Sequence, residues 1–558
     1  VLFVGAHPDD EYQSLATFGQ WNERYGTSVA VATITRGEGG GNAAGPQEGA
    51  ALGLIREDEQ RRAVAPAGVR DVYYLDRPDF WYTLSAPLTR TVWDGPPRRP
   101  DTLQRLVRLI RATTPRTVVT MDPRPFDQHG AHQLSARLAI EAFRLAGDPR
   151  AFPAQLTREG YRPWRASRLL TQNWLFQGPA GPGCARAALR DAATGLPQLG
   201  VWQGAWSRRY GTTWAQQERD AARVYRTQGF AALPATVTTP RSRLGCEWFS
   251  VLVDHGRTLT APVVHRPELR PPYAEFAAWA DRVGMPWLAN GAQPDHPAAP
   301  AATVPVAARR PLLDGAAGPG EYPGPRLRLS PWQGERCAPA ADCSATARLS
   351  RHGDDLYVLV EVGDDAKGSR LSRKDCKRHW RTDSVEIALD PRGTADDTSA
   401  TFKAAVLPFT SEGGPCAARD ADHRQGPAAT NAPGMRWAAT VRTPYTGYTV
   451  EVRISLADLP AAADPAGMTG NVMVYDSDTE DRTGQSRLAW SAFGSAQADP
   501  LVWGALRLPG HTPPPGRPVV AGPAVIPLAA ADSRDSPASV AQSLRTGVPL
   551  AVGPRRPR

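Results

Sequence analysis

Val1-Leu2-Phe3-Val4-Gly5-Ala6-His7-Pro8-Asp9-Asp10-Glu11 opens the chain, an unbroken apolar run that stops at a histidine and a cluster of acids. A short apolar run without alternation reads as a strand buried on both faces, and Asp10–Tyr25 beyond it reads as a helix. The pattern repeats: Ser28–Thr35, Val72–Leu75 and Thr117–Met121 read as strands, and Leu52–Ala65, Thr102–Ala112 and Ala131–Leu145 as helices. Strands alternating with helices of this length predict βαβ units, hence an α/β, Rossmann-like, doubly wound and mostly parallel sheet. In such sheets ligands collect beyond the carboxyl ends of the strands.

Further along the pattern changes. Residues 150–262 are rich in Trp and Arg and less periodic, ending in a strand-like Glu247–Val253. Residues 263–303 carry Pro272, Pro286, Pro294, Pro297 and Pro300 among many alanines, which predicts a linker holding one short helix, Tyr273–Val283. From 304 the period becomes two, with strands expected at Leu356–Val362, Ser384–Leu389, Thr401–Val406, Trp437–Arg442, Tyr448–Ile454 and Asn471–Tyr475. This predicts an all-β sandwich. The expected organisation is therefore an α/β domain over 1–262, a linker over 263–303, a β-sandwich over 304–508 and a Pro-rich flexible tail over 509–558.

Composition narrows the function. The 558 residues carry a net charge of +9, but only Lys367, Lys374, Lys377 and Lys403 are lysines among 65 basic residues, and the arginines are scattered. A nucleic-acid footprint clusters on one face, so no nucleic-acid partner is expected. No apolar run reaches the ~18 residues of a membrane span. Cys337 with Cys343 and Cys376 with Cys416 are candidate disulfides in an oxidising compartment, while Cys184 and Cys246 read equally well as buried thiols. The chain opens inside a strand without an initiator Met, so upstream residues, a secretory signal among the candidates, are expected to be missing from it. A secreted protein is the expectation.

The chemistry gathers in two places. Ala6-His7-Pro8-Asp9-Asp10-Glu11 lies where the first strand ends, and Phe126-Asp127-Gln128-His129-Gly130-Ala131-His132 follows the fourth, so both fall on one sheet edge. Two imidazoles and a carboxylate suit a three-ligand zinc site with an open position for water. Zinc lowers the pKa of such water from about 15.7 to about 7, and a carboxylate outside the ligand set can act as general base. Fe²⁺ or Co²⁺ suit the same donors. Plainer readings stand beside these: Asp9 and Asp10 as helix caps, His129 as a loop histidine, Arg56 and Glu59 as a solvated i,i+3 pair, and Gly37–Gly41 as a turn rather than a phosphate cradle. No Gly-x-Ser-x-Gly follows an early strand and no Walker loop occurs, which sets aside serine hydrolases and P-loop enzymes.

These residues resemble the zinc-dependent de-N-acetylases of the PIG-L/LmbE-like family, over roughly residues 1–255. Thr35-Arg36-Gly37-Glu38-Gly39-Gly40, Leu52-Gly53 with Arg56 and Glu59, Asp79-Phe80, and Ala221-Ala222 to Gln228 extend the match. The resemblance implies that His7, Asp10 and His132 bind Zn²⁺ and that Asp9 takes a proton from the zinc-bound water. His129 would stabilise the tetrahedral intermediate or protonate the leaving amine, and Arg56 and Asp79 would hold the sugar. Many relatives carry an Asp that buttresses the first histidine of the second motif; this chain has Ala131 there, with Asp127 a possible substitute from the other side.

Residues 304–508 resemble the family 9 carbohydrate-binding modules, on Leu313-Asp314-Gly315 with Glu321-Tyr322-Pro323, Asp355-Leu356-Tyr357-Val358, Thr382-Asp383-Ser384-Val385-Glu386-Ile387, Gly447-Tyr448-Thr449-Val450-Glu451, Trp490 and Trp503-Gly504. Trp380 and Trp490 are the candidate sugar-stacking faces, packing in the sandwich core being the alternative. Asp364, Asp365, Asp476 and Asp478 form acid pairs that could hold Ca²⁺ or stand as solvated loop acids. The expectation is a zinc-dependent hydrolase that removes the N-acetyl group of an N-acetylated amino sugar or glycan, aided by a sugar-binding domain. The alternatives are a non-catalytic glycan-binding protein and a zinc amidase for another N-acyl compound.

Overall fold

The computed structural model describes residues 1–516 and 551–552, apart from 46, 96–99, 127, 265, 267, 294–297, 335–336, 338–341, 369, 423 and 479–485. The described chain divides into two units, one formed by residues 1–81 and 85–293 with 551–552, and one by residues 82–84 and 298–516.

The first unit is the expected α/β layer. Its strands are β1 (Leu2–Gly5), β2 (Ala30–Thr33), β3 (Asp71–Tyr74), β4 (Thr117–Thr120), β5 (Arg168–Gln172), β6 (Pro197–Trp202) and β7 (Cys246–Asp254). They lie side by side in the order β3-β2-β1-β4-β5-β7-β6. The first five are parallel, and β7 runs antiparallel to both β5 and β6. Period two within β1 decides its packing. Leu2 and Val4 face one apolar cluster with α3 (Ala86–Asp94), α4 (Asp101–Thr113) and α5 (Gly130–Leu145), while Phe3 faces a second with α1 (Leu15–Tyr25), α2 (Gly49–Val64) and α6 (Trp214–Ala222). Both faces are covered, which is why these strands show no polar side. The order reverses at β1, whose neighbours are β2 and β4, so the crevice that ligands use opens beyond the ends of β1 and β4.

Residues 263–303 are not a bare linker. Pro271–Arg282 forms α7, and Tyr273, Phe276, Ala277, Trp279 and Ala280 on it, with Trp287 and Leu288 just beyond, are buried in the cluster that covers Leu2 and Val4. Aromatic residues at helical spacing gave this segment an apolar face despite its prolines.

The second unit is an antiparallel sandwich. One sheet contains β8 (Cys343–His352), β9 (Asp355–Asp364), β13 (Met435–Val441) and β14 (Tyr448–Ser455), in the order β8-β9-β14-β13. The other contains β10 (Ser384–Asp390), β11 (Phe402–Leu407), β12 (Cys416–Arg419), β15 (Thr469–Asp476) and β16 (Gly504–Arg507), in the order β16-β15-β10-β11-β12. Val358, Val360, Val450, Val452, Val385, Ile387, Val472 and Val474 fill the space between them. The tail expected over 509–558 is described only at 509–516 and at Ala551–Val552, which pairs with β3; the rest lies outside the described residues.

The six cysteines pair as Cys184–Cys246, Cys337–Cys343 and Cys376–Cys416. Cys184 and Cys246 are thus joined rather than free. Among the described residues no helix is long and apolar enough to cross a membrane.

Candidate metal centre

Beyond the end of β1 the chain turns back on itself. Oδ2 of Asp10 accepts the amides of Ala6 (2.5 Å) and His7 (2.9 Å), which pins one carboxylate oxygen and leaves Oδ1 turned outward. Gly5 makes room, since a Cβ there would lie 2.9 Å from the Asp10 Cβ. Asp9, at the tip, holds φ at +131°, a region L-residues avoid. Such strain persists only where the surroundings impose it, and it gathers at functional sites.

Beyond β4, Gln128 donates to the carbonyls of Asp122 (3.1 Å) and Arg124 (2.6 Å), tying down the approach to α5. His129 caps α5, and His132 sits one turn in. Gly130 is required because a Cβ would lie 2.4 Å from the Ser85 carbonyl.

Three donor atoms converge between these segments. Nδ1 of His7 is 3.0 Å from Nε2 of His132, Oδ1 of Asp10 is 3.3 Å from Nε2 of His132, and that oxygen is 3.9 Å from Nδ1 of His7. Tetrahedral zinc with bonds of about 2.0–2.1 Å spaces its ligand atoms by about 3.3 Å, so two nitrogens and one oxygen here fit a divalent cation with a position left open. The rings of His7 and His129 lie 5.1 Å apart and those of His129 and His132 4.7 Å apart, which brings His129 to the same place.

The surroundings are acidic. Burial disfavours charge on His7, but Asp79, Asp10 and Asp9 outweigh it and raise its pKa to about 9. Burial also raises Asp10, yet His132 and His7 bring it below the usual carboxylate range. Asp9 is pushed well up by burial and by Asp10, against the pull of Arg56 and His7. His129 is pushed well down by burial, then by His132, His7 and Arg56, which favours a neutral ring.

The other site candidates land unevenly. Arg56 and Glu59 are not a solvated pair: they are 4% and 2% exposed. Arg56 donates to the carbonyls of Gly37 (2.6 Å) and Gly41 (2.7 Å), and Glu59 accepts from the Thr227 hydroxyl (2.6 Å). The glycine run therefore wraps a guanidinium with its carbonyls, and a Cβ on Gly37 or Gly40 would lie 2.5 Å or 2.7 Å from Arg56 Nη1. Asp79 lies against Nε2 of His7 (3.3 Å) and accepts the Gly39 amide (3.1 Å). Ala131 is buried in the apolar cluster; Asp127, its candidate substitute, lies outside the described residues. Two further residues shape the site, neither assigned a role from the sequence. Glu38 anchors Asp79 through its backbone amide (3.1 Å). The ring of Trp174 stands 6.5 Å from that of His132, and among the described residues its buried Nε1 has no hydrogen-bond partner. No spacing rule marks Trp174, which falls in an aperiodic stretch.

In the β unit, Trp380 and Trp490 are both half-buried but join different clusters. Trp380 packs against the cluster that holds Tyr475, Met473 and Trp503 and against the His379 ring, and Trp490 packs against the sandwich core. The acids regroup. Asp364 and Asp476 meet Asp383 rather than their sequence neighbours, and all three are buried, at 2%, 3% and 0% exposed. Among the described residues, Oδ1 of Asp476 is buried without a hydrogen-bond partner. Burial first raises all three: Asp364 to about 6 with Asp478 and Asp365 adding, Asp383 to about 7 with Asp364 adding, and Asp476 to about 9 with Asp364 and Asp383 adding. Asp365 and Asp478 meet Asp342 nearer the surface.

Residues 2–143 match the family described as GlcNAc-PI de-N-acetylase, and residues 324–511 match the carbohydrate family 9 binding domain-like family. A 1D-myo-inositol 2-acetamido-2-deoxy-alpha-D-glucopyranoside deacetylase of Thermobifida fusca is 30% identical over 248 residues, covering 41% of this chain and 82% of that protein. A diacetylchitobiose deacetylase of Thermococcus kodakarensis is 30% identical over 150 residues, covering 27% of this chain and 51% of that protein. A family 9 carbohydrate-binding module of Caldicellulosiruptor kristjanssonii, solved with cellotriose, is 19% identical, with a TM-score of 0.28, covering 38% of this chain and 95% of that module. The chain thus spans most of the first relative and about half of the second.

Proposed function

This chain belongs to the GlcNAc-PI de-N-acetylase (PIG-L) family, with a second domain of the family 9 carbohydrate-binding type, and on that premise we propose that it hydrolyses the N-acetyl group of an N-acetylated amino sugar. Water adds to the amide carbonyl, the C–N bond breaks, and acetate and a free amine leave. The observation that carries this reading is the convergence of His7 Nδ1, His132 Nε2 and Asp10 Oδ1, with Asp9 adjoining them, at the crevice between β1 and β4.

His7, Asp10 and His132 are the ligands, and their two nitrogens and one oxygen suit Zn²⁺ among the available metals. Bound there, the cation supplies Lewis-acid polarisation of the carbonyl and acidifies water. Asp9 accepts the proton of the attacking water; burial beside Asp10 keeps it basic for a carboxylate. His129, neutral and against the same rings, donates its N–H to the oxyanion that develops on the carbonyl, and the proton taken up by Asp9 passes to the departing nitrogen. Arg56 draws the glycine loop around the acidic site and balances Asp9.

The sandwich domain acts as the glycan-binding partner of the enzyme, with Trp380 and Trp490 as sugar faces and Asp364, Asp383 and Asp476 as a Ca²⁺ site. Secretion is supported by three disulfides and by the sugar-binding type of the second domain.

The test is metal content by elemental analysis paired with acetate release from a panel of N-acetylated sugars. One metal per α/β domain and acetate release abolished by a chelator are expected. Metal binding without acetate release from any sugar would sink the sugar deacetylase and favour another N-acyl compound. A folded protein that takes up no metal would favour a glycan-binding protein without catalysis.

A further inference from the structure

Asp79 sits in the loop after β3 with its amide and both carboxylate oxygens committed. Its backbone N–H donates to Glu38 Oε1 (3.1 Å), and the other Glu38 oxygen accepts the Arg36 amide (3.0 Å), so the residue is clamped to the loop after β2. Oδ2 accepts the Gly39 amide at 3.1 Å. Oδ1 remains, and it lies 3.3 Å from Nε2 of His7. The opposite nitrogen of that ring, Nδ1, is the one turned to His132 and Asp10. An imidazole offers a lone pair on one nitrogen only when its proton rests on the other, and a carboxylate at the far side fixes both the tautomer and the ring plane.

We propose that Asp79 is a positioning residue of the metal centre, its Oδ1 accepting the His7 Nε2–H so that Nδ1 is held unprotonated and aimed at the cation. This differs from the sugar contact that resemblance implied. At 6% exposure, Asp79 has Oδ2 on the Gly39 amide and Oδ1 on the His7 ring, which turns its carboxylate toward the metal centre. The inference rests on the reading of His7, Asp10 and His132 as ligands.

The experiment uses the full chain and the metal alone as first probe. Zn²⁺ affinity is measured by competition with a chromophoric chelator for the parent, Asp79→Asn, Glu38→Ala and His132→Ala, and Co²⁺ replaces Zn²⁺ for visible spectra. Asp79→Asn should weaken Zn²⁺ by about 10–100-fold and alter the Co²⁺ bands, while KM for an N-acetylated sugar at saturating metal moves less than about threefold. Glu38→Ala, which frees the Asp79 amide, should weaken Zn²⁺ several-fold and serves if Asp79→Asn does not fold. Unchanged Zn²⁺ affinity and Co²⁺ spectrum in these variants, with KM raised tenfold or more in Asp79→Asn, would overturn the proposal in favour of a sugar contact. Zn²⁺ affinity unchanged in His132→Ala would instead remove the metal centre itself, and the proposal with it.

Discussion

Replacing Gly39 by alanine drives a methyl group into backbone. A Cβ at this position lies 2.5 Å from the Phe80 nitrogen, 2.6 Å from the Asp79 carbonyl carbon and 2.7 Å from the Phe80 Cα. None of these is the end of a flexible side chain. Restoring an ordinary contact of about 3.4 Å requires the glycine loop and residues 79–80 to part by about 0.9 Å. The Gly39–Asp79 hydrogen bond, 3.1 Å long, would stretch to about 4 Å and be lost. Asp79 would then shift against His7. A misplacement of about 1 Å at a reacting centre costs about 10²-fold, so kcat/KM should fall about 10²-fold, with overpacking lowering stability by about 1–3 kcal/mol. Gly45→Ala is the control, because its Cβ would meet the Gln47 amide oxygen at 2.6 Å and nothing else nearer than 3.6 Å. A side-chain end swings away, and activity should stay within about twofold. The assay is acetate release over a substrate range, with thermal unfolding of each variant. A folded Gly39→Ala enzyme whose kcat/KM lies within threefold of the parent would refute the reasoning.

Asp9→Ala should retain metal yet lose about 10²–10⁴-fold in kcat as a general base is removed; full turnover with metal bound would discard that role. A pH dependence of stability comes from elsewhere in the α/β domain. Burial raises Glu247 to about 8 from 4.5, with the Ser14 and Thr17 hydroxyls donating to it, and burial beside Glu247 raises Glu218 as well. The folded state holds these protons more tightly than the unfolded chain, so stability intact below about pH 4.5 is lost as pH rises towards 8, by up to about 1.4 kcal/mol per unit for each group. Glu247→Gln should flatten that slope, and urea unfolding that gives the same parent–variant difference at pH 5 and pH 8 would contradict it. Trp380→Ala should weaken retention on immobilised glycans at least tenfold if its ring is a sugar face; unchanged retention would assign Trp380 to packing against the cluster of Tyr475, Met473 and Trp503.

Much of the architecture could be read from local pattern. The four early strands and their helices stand within a few residues of where hydrophobic runs put them, because a parallel strand covered on both faces has to be apolar throughout. The strand Cys343–His352 is not legible in the sequence, for a related reason. Its inward residues alternate as they should, but Cys343, Ala345 and Ala347 are small, so the alternation has little amplitude. In residues 263–303 the helix is legible from its spacing, but the burial of Tyr273, Phe276 and Trp279 against the α/β core is not, because packing partners lie far away in sequence.

The candidate site divides along the same line. His7, Asp10 and His132 were legible because each follows a strand at the same sheet edge, and strand order alone carries such residues together. The partners of those residues were not. Asp79 reaches His7 across 72 positions only because β3 lies two strands from β1. The glycine run closes on Arg56 only because α2 packs back over the loop that precedes it. Asp383 joins Asp364 and Asp476 through the pairing of β10 with β15 and the facing of two sheets. Sequence by itself determined which backbone each segment adopts and which chemically active side chains stand at strand ends, since both depend on neighbours a few residues away. The identity of the group behind each ligand, and whether a charged residue is buried or solvated, was decided by tertiary packing, because hydrogen bonds and desolvation act across a few ångströms of space regardless of distance along the chain.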